Sequence, residues 1–504
     1  MSIFLDNPYA SDDGARHVWV RGNLHTHTTR SDGKREPQAV VDAYAARGYQ
    51  FLALSDHDTL ADLGGLDSRG MALIPANEVS LGGCHILHLG AHTRIEPDSD
   101  RQRVLDAISA SGGLAVLNHP NWESDFDHLP FPTLLALKGY AGIEIFNGGC
   151  LDSPGSAFAL DKWDRLLSSG RSAWGLANDD SHAVGDDGRG WNVVLVPEGG
   201  VTAERILEAL RAGRFYASTG VTIASMQVQE TELRIQAPEA EALEAVGEHG
   251  ARLAWCEGAE LIFDAARVHG GYVRVQAYGR AGRAAWTQPF RLHGSHLDRI
   301  RALLENRPVL KVLRVEHAPD PAGDADGPLW SVAQASSAFH KMGDAEAPGA
   351  ATSVRCMLTD AQLHIAVRCT EPLMNRLKAT LHKNGSPALW TDDSVEVFID
   401  VSGKGAHYYH FLANTLGHWC AARDTGLAKE VQGQCRVKRE AGAWCVAFAL
   451  DLDSLGLEAR ARSVPGSRWG FHVCRNRQTV DETYVWAWVG NSNHTPERFG
   501  WLEF

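Results

Sequence analysis

Gly22-Asn23-Leu24-His25-Thr26-His27 closes an apolar run with two histidines one residue apart. Alternate residues of a strand project to one face, so both imidazoles can meet the same ion. Asp32 follows in Ser31-Asp32-Gly33, and the next apolar run ends in Leu54-Ser55-Asp56-His57-Asp58. Then come Pro75-Ala76-Asn77-Glu78, Cys84-His85-Ile86-Leu87-His88, Asn118-His119-Pro120 and Asn178-Asp179-Asp180-Ser181-His182. A lone histidine is usually structural. Histidines interleaved with Asp32, Glu78 and Asp180 are not explained by packing, because buried carboxylates need partners. Mixed imidazole and carboxylate donors suit two or three divalent ions of manganese, iron or zinc. Such ions activate water and polarise a phosphoryl or carbonyl oxygen, so the expected chemistry is hydrolysis without an amino-acid nucleophile.

Two neighbours compete for ligand roles. His85 and His88 differ by an odd number of residues and face opposite sides of an extended segment, so only one of them should ligate. Asp180 is preferred over Asp179 by its D-x-H spacing to His182, with Asp179 supporting a ligand from behind. Arg30, Lys34 and Arg189, the last in Gly188-Arg189-Gly190-Trp191, could stabilise an anionic transition state, although each reads first as a solvated surface cation. Glu144, in Ile143-Glu144-Ile145, could orient substrate or a ligand, or make a structural hydrogen bond.

These groups need elements to hold them. From about Val18 to Gly220, short apolar runs alternate with helical stretches, among them a helix over 36–47 with Pro37 near its start and Gly48 as its stop. Further helices are expected at 103–110, 132–137 and 162–168, each leading into a strand at 114–117, 142–146 and 173–176. Repeated parallel strands with chemistry at their ends point to an α/β barrel or a doubly wound sheet. Beyond Gly220 strands dominate, with examples at 228–235 and 272–277, and suggest a small β-sandwich ending near Phe290 to Leu292. A helix-like linker at 296–306 and a Pro/Gly loop at 318–324 follow. The last third is strand-rich and holds eight of the 15 tryptophans. The domain reading is 1–220, 221–295, a linker at 296–315, and 316–504.

The motifs of residues 18–220, taken in order, resemble the PHP (polymerase and histidinol phosphatase) superfamily of metal-dependent hydrolases. The resemblance implies an α/β fold, a distorted β/α barrel, with two β-sandwich-like domains after it. It implies one ion on His25, His27, Glu78 and Asp180, a second on Glu78, His85 and His119, and a third on Asp32, His57 and His182, with Glu78 bridging. Glu78, Asp180, His182 and Arg189 are the residues expected to act in turnover. Phosphoester hydrolysis is the favoured reaction, and carbamate, ester or amide cleavage is the alternative within the superfamily. The stretch from Leu389-Trp390-Thr391-Asp392-Asp393 to Tyr408-Tyr409-His410-Phe411 makes residues 310–504 resemble a family-nine-like carbohydrate-binding module. Its tryptophans either stack on sugar rings or fill a sandwich core, Trp444 and Trp486 among them. A glycan-binding protein with an inactive first domain is the reading from a different class, and the nine filled ligand positions argue against it.

Composition narrows the partners. Across 504 residues, 48 Lys and Arg stand against 62 Asp and Glu, a net charge of −14, which disfavours nucleic acid and anionic membranes. The expected partner is a small molecule, one that can contain sugar. Nine cysteines without a C-x-x-C pair fit neither a disulfide framework nor a cysteine zinc site, and with no apolar leader they suggest a cytoplasmic protein.

Overall fold

The computed structural model describes residues 4–504 except 11–13, 269, 318, 320–327, 344, 425, 457, 458, 460 and 491. Most of the expected 318–324 loop therefore lies outside the described residues. The chain divides into two compact units, Met1–Leu297 and Asp298–Phe504.

In the first unit, seven strands run side by side in the order His17–Asn23, Phe51–Leu54, Ala72–Val79, Ile86–Leu89, Leu114–Leu117, Gly142–Asn147 and Trp174–Asn178. Phe51–Leu54, Ile86–Leu89 and Leu114–Leu117 are buried along their whole length, which is why they read as continuous apolar runs rather than alternating ones. The first three strands are parallel, as are the last three. Ile86–Leu89 is antiparallel to both neighbours, a departure from the expected parallel series. Only residues 80–85 separate it from Ala72–Val79, too few for a crossover, so the two strands close as a hairpin.

Helices cover this sheet, and their ends are legible locally. Pro37–Ala46 starts on proline, buries Val40, Val41 and Tyr44, and stops before Gly48, whose φ of 75° suits glycine. Ala203–Ala212 is capped by Thr202, which accepts from the Arg205 N–H, and ends at Gly213 in the left-handed region.

Residues 221–293 do not form a domain of their own. Trp191–Pro197 pairs with both His17–Asn23 and Phe215–Ser218, and Phe215–Ser218 pairs with Ala284–Trp286. The same sheet continues through Tyr272–Tyr278 to Phe290–His293, which takes Phe4–Asp6 as its edge partner. Trp286 and Tyr272 share a core with Ile145, Phe146 and Trp163, and a buried Arg274–Asp164 pair at 2.7 Å ties the later strands to helix Leu160–Ser168. The apolar faces of these strands are thus completed by the first 220 residues. The single strand expected at 228–235 is a hairpin, Ser225–Gln229 with Glu232–Gln236, in a separate three-stranded sheet.

The second unit is a sandwich. Five strands, Leu313–Arg314, Thr352–Leu358, Gln362–Thr370, Ala443–Asp451 and Gly433–Glu440, form one sheet. The other is built around Gly500–Glu503, Arg468–Arg477, Ser394–Asp400 and Tyr409–Asn414. Alternating residues of both, including Val354, Ile365, Val446, Val397, Phe411 and Val473, meet in one core that also takes Trp444, Trp469 and Trp486. The stretch read as a linker contributes to it: Val309–Lys311 pairs with Gly500–Glu503, and Leu313–Arg314 with Thr352–Leu358. These short strands are too brief to stand out in the sequence.

His472 sits buried in this unit, its Nδ1 accepting from the Ala487 N–H and its Nε2–H donating to Asn493 Oδ1. Burial lowers its pKa to about 4. The unfolded chain then takes up a proton that the folded chain refuses, so stability present above about pH 6.5 is lost as pH falls toward about 4. The loss expected is about 3 kcal/mol, and His472→Gln should flatten it. Denaturant midpoints of both proteins at pH 7 and pH 4.5 check this, and parallel losses would exclude His472 as the cause.

Candidate metal centre

The motif residues lie at or beside one end of the seven strands: most follow a strand, Glu78 is near the end of Ala72–Val79, and His85 precedes the antiparallel Ile86–Leu89. There, the Asp180 N–H donates to the His25 carbonyl (3.0 Å) and the His27 N–H to the Ser181 carbonyl (2.9 Å), so the first and last of the seven strands are bridged. A second bridge joins His57 to Glu78. Side chains from positions 25 to 182 are thereby gathered around one carboxylate.

Glu78 is that carboxylate, 1% exposed. Its Oε2 lies 3.4 Å from His25 Nε2, 3.5 Å from His27 Nε2 and 3.0 Å from His57 Nδ1. Its Oε1 lies 3.2 Å from His85 Nδ1 and 3.4 Å from His119 Nε2. Asp180 Oδ1 stands 3.3 Å from His25 Nε2 and 3.1 Å from His27 Nε2. At the more open edge, Asp32 Oδ2 is 3.6 Å from His57 Nε2 and 3.3 Å from His182 Nε2. All nine residues singled out as ligands therefore meet in one cluster. Within it, ligand atoms of His25, His27 and Asp180, of His57, Glu78 and His85, and of His27, Asp32, His57 and His182 each lie within 4.8 Å of one another.

The donor set fits divalent cations. His25 Nε2, His27 Nε2, Glu78 Oε2, His85 Nδ1 and Asp180 Oδ1 are buried without a hydrogen-bond partner, a costly state that a cation would relieve. Burial opposes ionisation of Glu78, yet the surrounding His25, His119 and His57 hold its carboxyl well below the usual range. Burial likewise disfavours a charged His25, and the Asp180, Glu78 and Glu144 carboxylates outweigh it and raise its pKa. The site is thus negative enough to demand positive charge.

A supporting layer orients the rings. Glu144 accepts from His25 Nδ1–H (2.8 Å), the His119 N–H (2.9 Å), Asn147 and Asn178, which turns His25 Nε2 toward Glu78 and Asp180. Of the roles left open for Glu144, the geometry selects this one. His182 Nδ1–H donates to the Asp180 carbonyl (2.9 Å), leaving Nε2 for Asp32. Asp179 points away from the cluster and accepts from the N–H groups of Gly188, Arg189 and Gly190 and from the Tyr44 hydroxyl. Burial pushes its carboxyl up to about 6 even so. His119 and Asp180 hold φ values of 27° and 50°, backbone strain that the Glu144 contact and the strand bridge sustain.

His85, and not His88, reaches the cluster. His88 lies within strand Ile86–Leu89 with Nδ1 beside Asn77 and Nε2 against Ser111 and Gly113. His128, which no strand end or spacing marks, also arrives: its Nε2 accepts from the His85 N–H (3.2 Å) and its Nδ1 meets Glu123.

A cavity of about 380 Å³ opens over the cluster, bordered by Trp122, Cys150, Asp152, Asp186 and Arg189. Arg189 is held there by Asp152 (2.7 Å), Asp186 (3.1 Å) and the Gly148 carbonyl. Arg30 donates to the Asp62 carbonyl at an exposed position, and neither it nor Lys34 borders the cavity.

The geometry is that of a candidate metal centre on an α/β unit. Residues 322–504 match the family model described as carbohydrate family 9 binding domain-like. No curated protein is significantly similar to the chain in sequence. Among solved structures, the chain is similar to a two-domain Bacteroides vulgatus protein containing a predicted PHP-like metal-dependent phosphoesterase, at 16% identity and TM-score 0.33, over 54% of this chain and 87% of that one. It is also similar to an amidohydrolase from Chromobacterium violaceum, at 19% identity and TM-score 0.26, over 33% and 89%. A family 9 carbohydrate-binding module from Caldicellulosiruptor kristjanssonii in complex with glucose matches at 14% identity and TM-score 0.29, over 39% and 95%. The chemistry of the first unit rests on its own residues.

Proposed function

We propose that the first unit is a divalent-metal hydrolase of PHP type acting on phosphoesters, and that the second binds a sugar-containing part of its substrate. One observation carries the first part: three buried histidine nitrogens without partners, of His25, His27 and His85, converge on Glu78 and Asp180, whose Oε2 and Oδ1 are themselves without partners. Bound there, divalent ions supply Lewis acidity and a nucleophilic water. Glu78 offers one oxygen to each side of the cluster and would bridge two ions, one held with His25, His27 and Asp180 and the other with His85 and His119. Asp32, His57 and His182 would hold a third. Arg189, fixed by two carboxylates at the cavity wall, positions an anionic oxygen of the substrate.

Full-length protein reconstituted with manganese, iron or zinc should hydrolyse phosphate mono- or diesters at least about tenfold faster than aryl esters or carbamates. Turnover of esters or carbamates alone would replace the phosphoesterase reading with the alternative hydrolase. A fully metal-loaded protein that turns over none of them would favour a purely glycan-binding role.

The sugar-binding part is supported by the family 9 match and by the sorting of the tryptophans. Trp444, Trp469 and Trp486 are core residues, whereas Trp390 is 53% exposed. The neighbouring Asp392 and Asp393 are engaged by backbone N–H groups of Thr380, Leu381 and Lys378, which brace the loop that presents it. Trp390→Ala should weaken oligosaccharide binding about tenfold, the scale of one stacking contact. Calorimetry over a panel of soluble oligosaccharides measures this, and unchanged affinity would remove Trp390 from the sugar site. All nine cysteines are free thiols. Among the described residues no helix is long and apolar enough to cross a membrane.

A further inference from the structure

A second cavity of about 370 Å³ shares Arg189 with the first, and its walls include Arg21, Phe146, Phe158, Trp191 and Arg283. Arg21 is preorganised. Its guanidinium lies 3.7 Å from the Trp191 ring centre and 4.2 Å from that of Tyr49, and its Nη2 donates to the Tyr49 hydroxyl at 3.0 Å. Its Nε is buried without a partner.

The charges around this cavity are uneven. Arg189 is answered by Asp152 and Asp186, and the nearby Asp187 is occupied by Arg35 through two bonds of 2.6 and 2.7 Å. Among the described residues, no carboxylate lies within ion-pair distance of Arg21 or Arg283. Two uncompensated guanidinium groups therefore border a cavity whose other walls combine Phe146, Phe158 and Trp191 with Leu151, Thr219 and small residues, and Phe158 is left 39% exposed there. Planar guanidinium groups bind carboxylate and phosphate oxygens, and aromatic walls bury a flat ring. A ring carrying an anionic group matches both at once, and a cavity of this volume is of the size that encloses small ligands.

We propose that this cavity is a second binding site, for an anionic group borne on an aromatic ring, and that it takes the far end of a substrate whose scissile bond lies over the metal cluster. The second clause rests on the hydrolase reading; the first does not.

The test uses full-length protein and 2-naphthoate, with 2-naphthamide as the uncharged probe of equal shape. After chelation of metals, calorimetry should show naphthoate binding at least about tenfold tighter than naphthamide. Arg283 is exposed, so Arg283→Gln should fold normally, checked by its melting temperature, and should lose most of that preference. Arg21→Gln should lose the rest. Equal binding of the two probes, or a preference unchanged in Arg283→Gln, would overturn the site. In metal-loaded protein, naphthoate should inhibit phosphoester hydrolysis competitively, and more weakly in Arg283→Gln. Binding without competition would overturn the substrate role alone. Binding in a protein that hydrolyses nothing would sustain the site and overturn the hydrolase reading.

Discussion

Glu78→Gln should leave the fold intact, release divalent ions and lower hydrolysis by about a thousandfold or more. Native protein purified without chelator should carry two or three such ions per chain. The magnitude follows from the number of contacts concentrated on one carboxylate. Glu78 faces His25, His27 and His57 through one oxygen and His85 and His119 through the other, so no other side chain in the cluster touches as many ligand groups. The amide keeps the shape and the Asn118 contact geometry but removes the charge that attracts cations. A metal centre stabilises several kcal/mol of transition-state charge, and about 4 kcal/mol corresponds to about a thousandfold in rate. Elemental analysis and steady-state rates read the two effects separately. A Glu78→Gln protein that kept its metals and its turnover would show that the cluster is a buried hydrogen-bond network and not a catalytic centre.

The second large effect is a contrast between neighbours. His85→Ala should lower turnover at least about a hundredfold and weaken metal binding, because its Nδ1 is buried beside Glu78 with no other partner. His88→Ala should stay within about threefold of native turnover while losing stability by about 1 to 3 kcal/mol, since its ring bonds Asn77 and packs on Gly113 away from the cluster. Paired measurements of kcat/KM, metal affinity and melting temperature decide it. If the histidines exchanged these phenotypes, the hairpin of Ala72–Val79 and Ile86–Leu89 would have to be in a different register from the one observed.

The residue types that make the centre were legible in the chain because metal chemistry demands particular donors, and strand alternation restricts where they point. His25 and His27 share a face by local geometry alone, and the odd separation of His85 from His88 sends them apart wherever the strand lies. Helix 37–46, with its proline start and glycine stop, is written in the same local terms. What local pattern could not reach is which strands become neighbours. Residues 221–293 alternate like an independent β-domain, yet their apolar faces are completed by Ile145, Phe146 and Trp163, which lie far away in sequence. The role of Glu144 was undetermined for the same reason: its partners, at positions 25, 119, 147 and 178, come together only when the seven-stranded run is bridged end to end. Arg189 borders the cavity and Arg30 does not, although both follow metal motifs, because a loop's landing point depends on what holds it. Asp179 accepts three successive backbone N–H groups from Gly188, Arg189 and Gly190 and pins the one loop, while Arg30 is drawn outward to Asp62. Donor chemistry and side-chain direction are properties of a few consecutive residues, and they were determined by the sequence itself. Pairing partners, loop positions and the charge balance of a cavity are sums over distant hydrogen bonds and burial, and only the tertiary structure decided them.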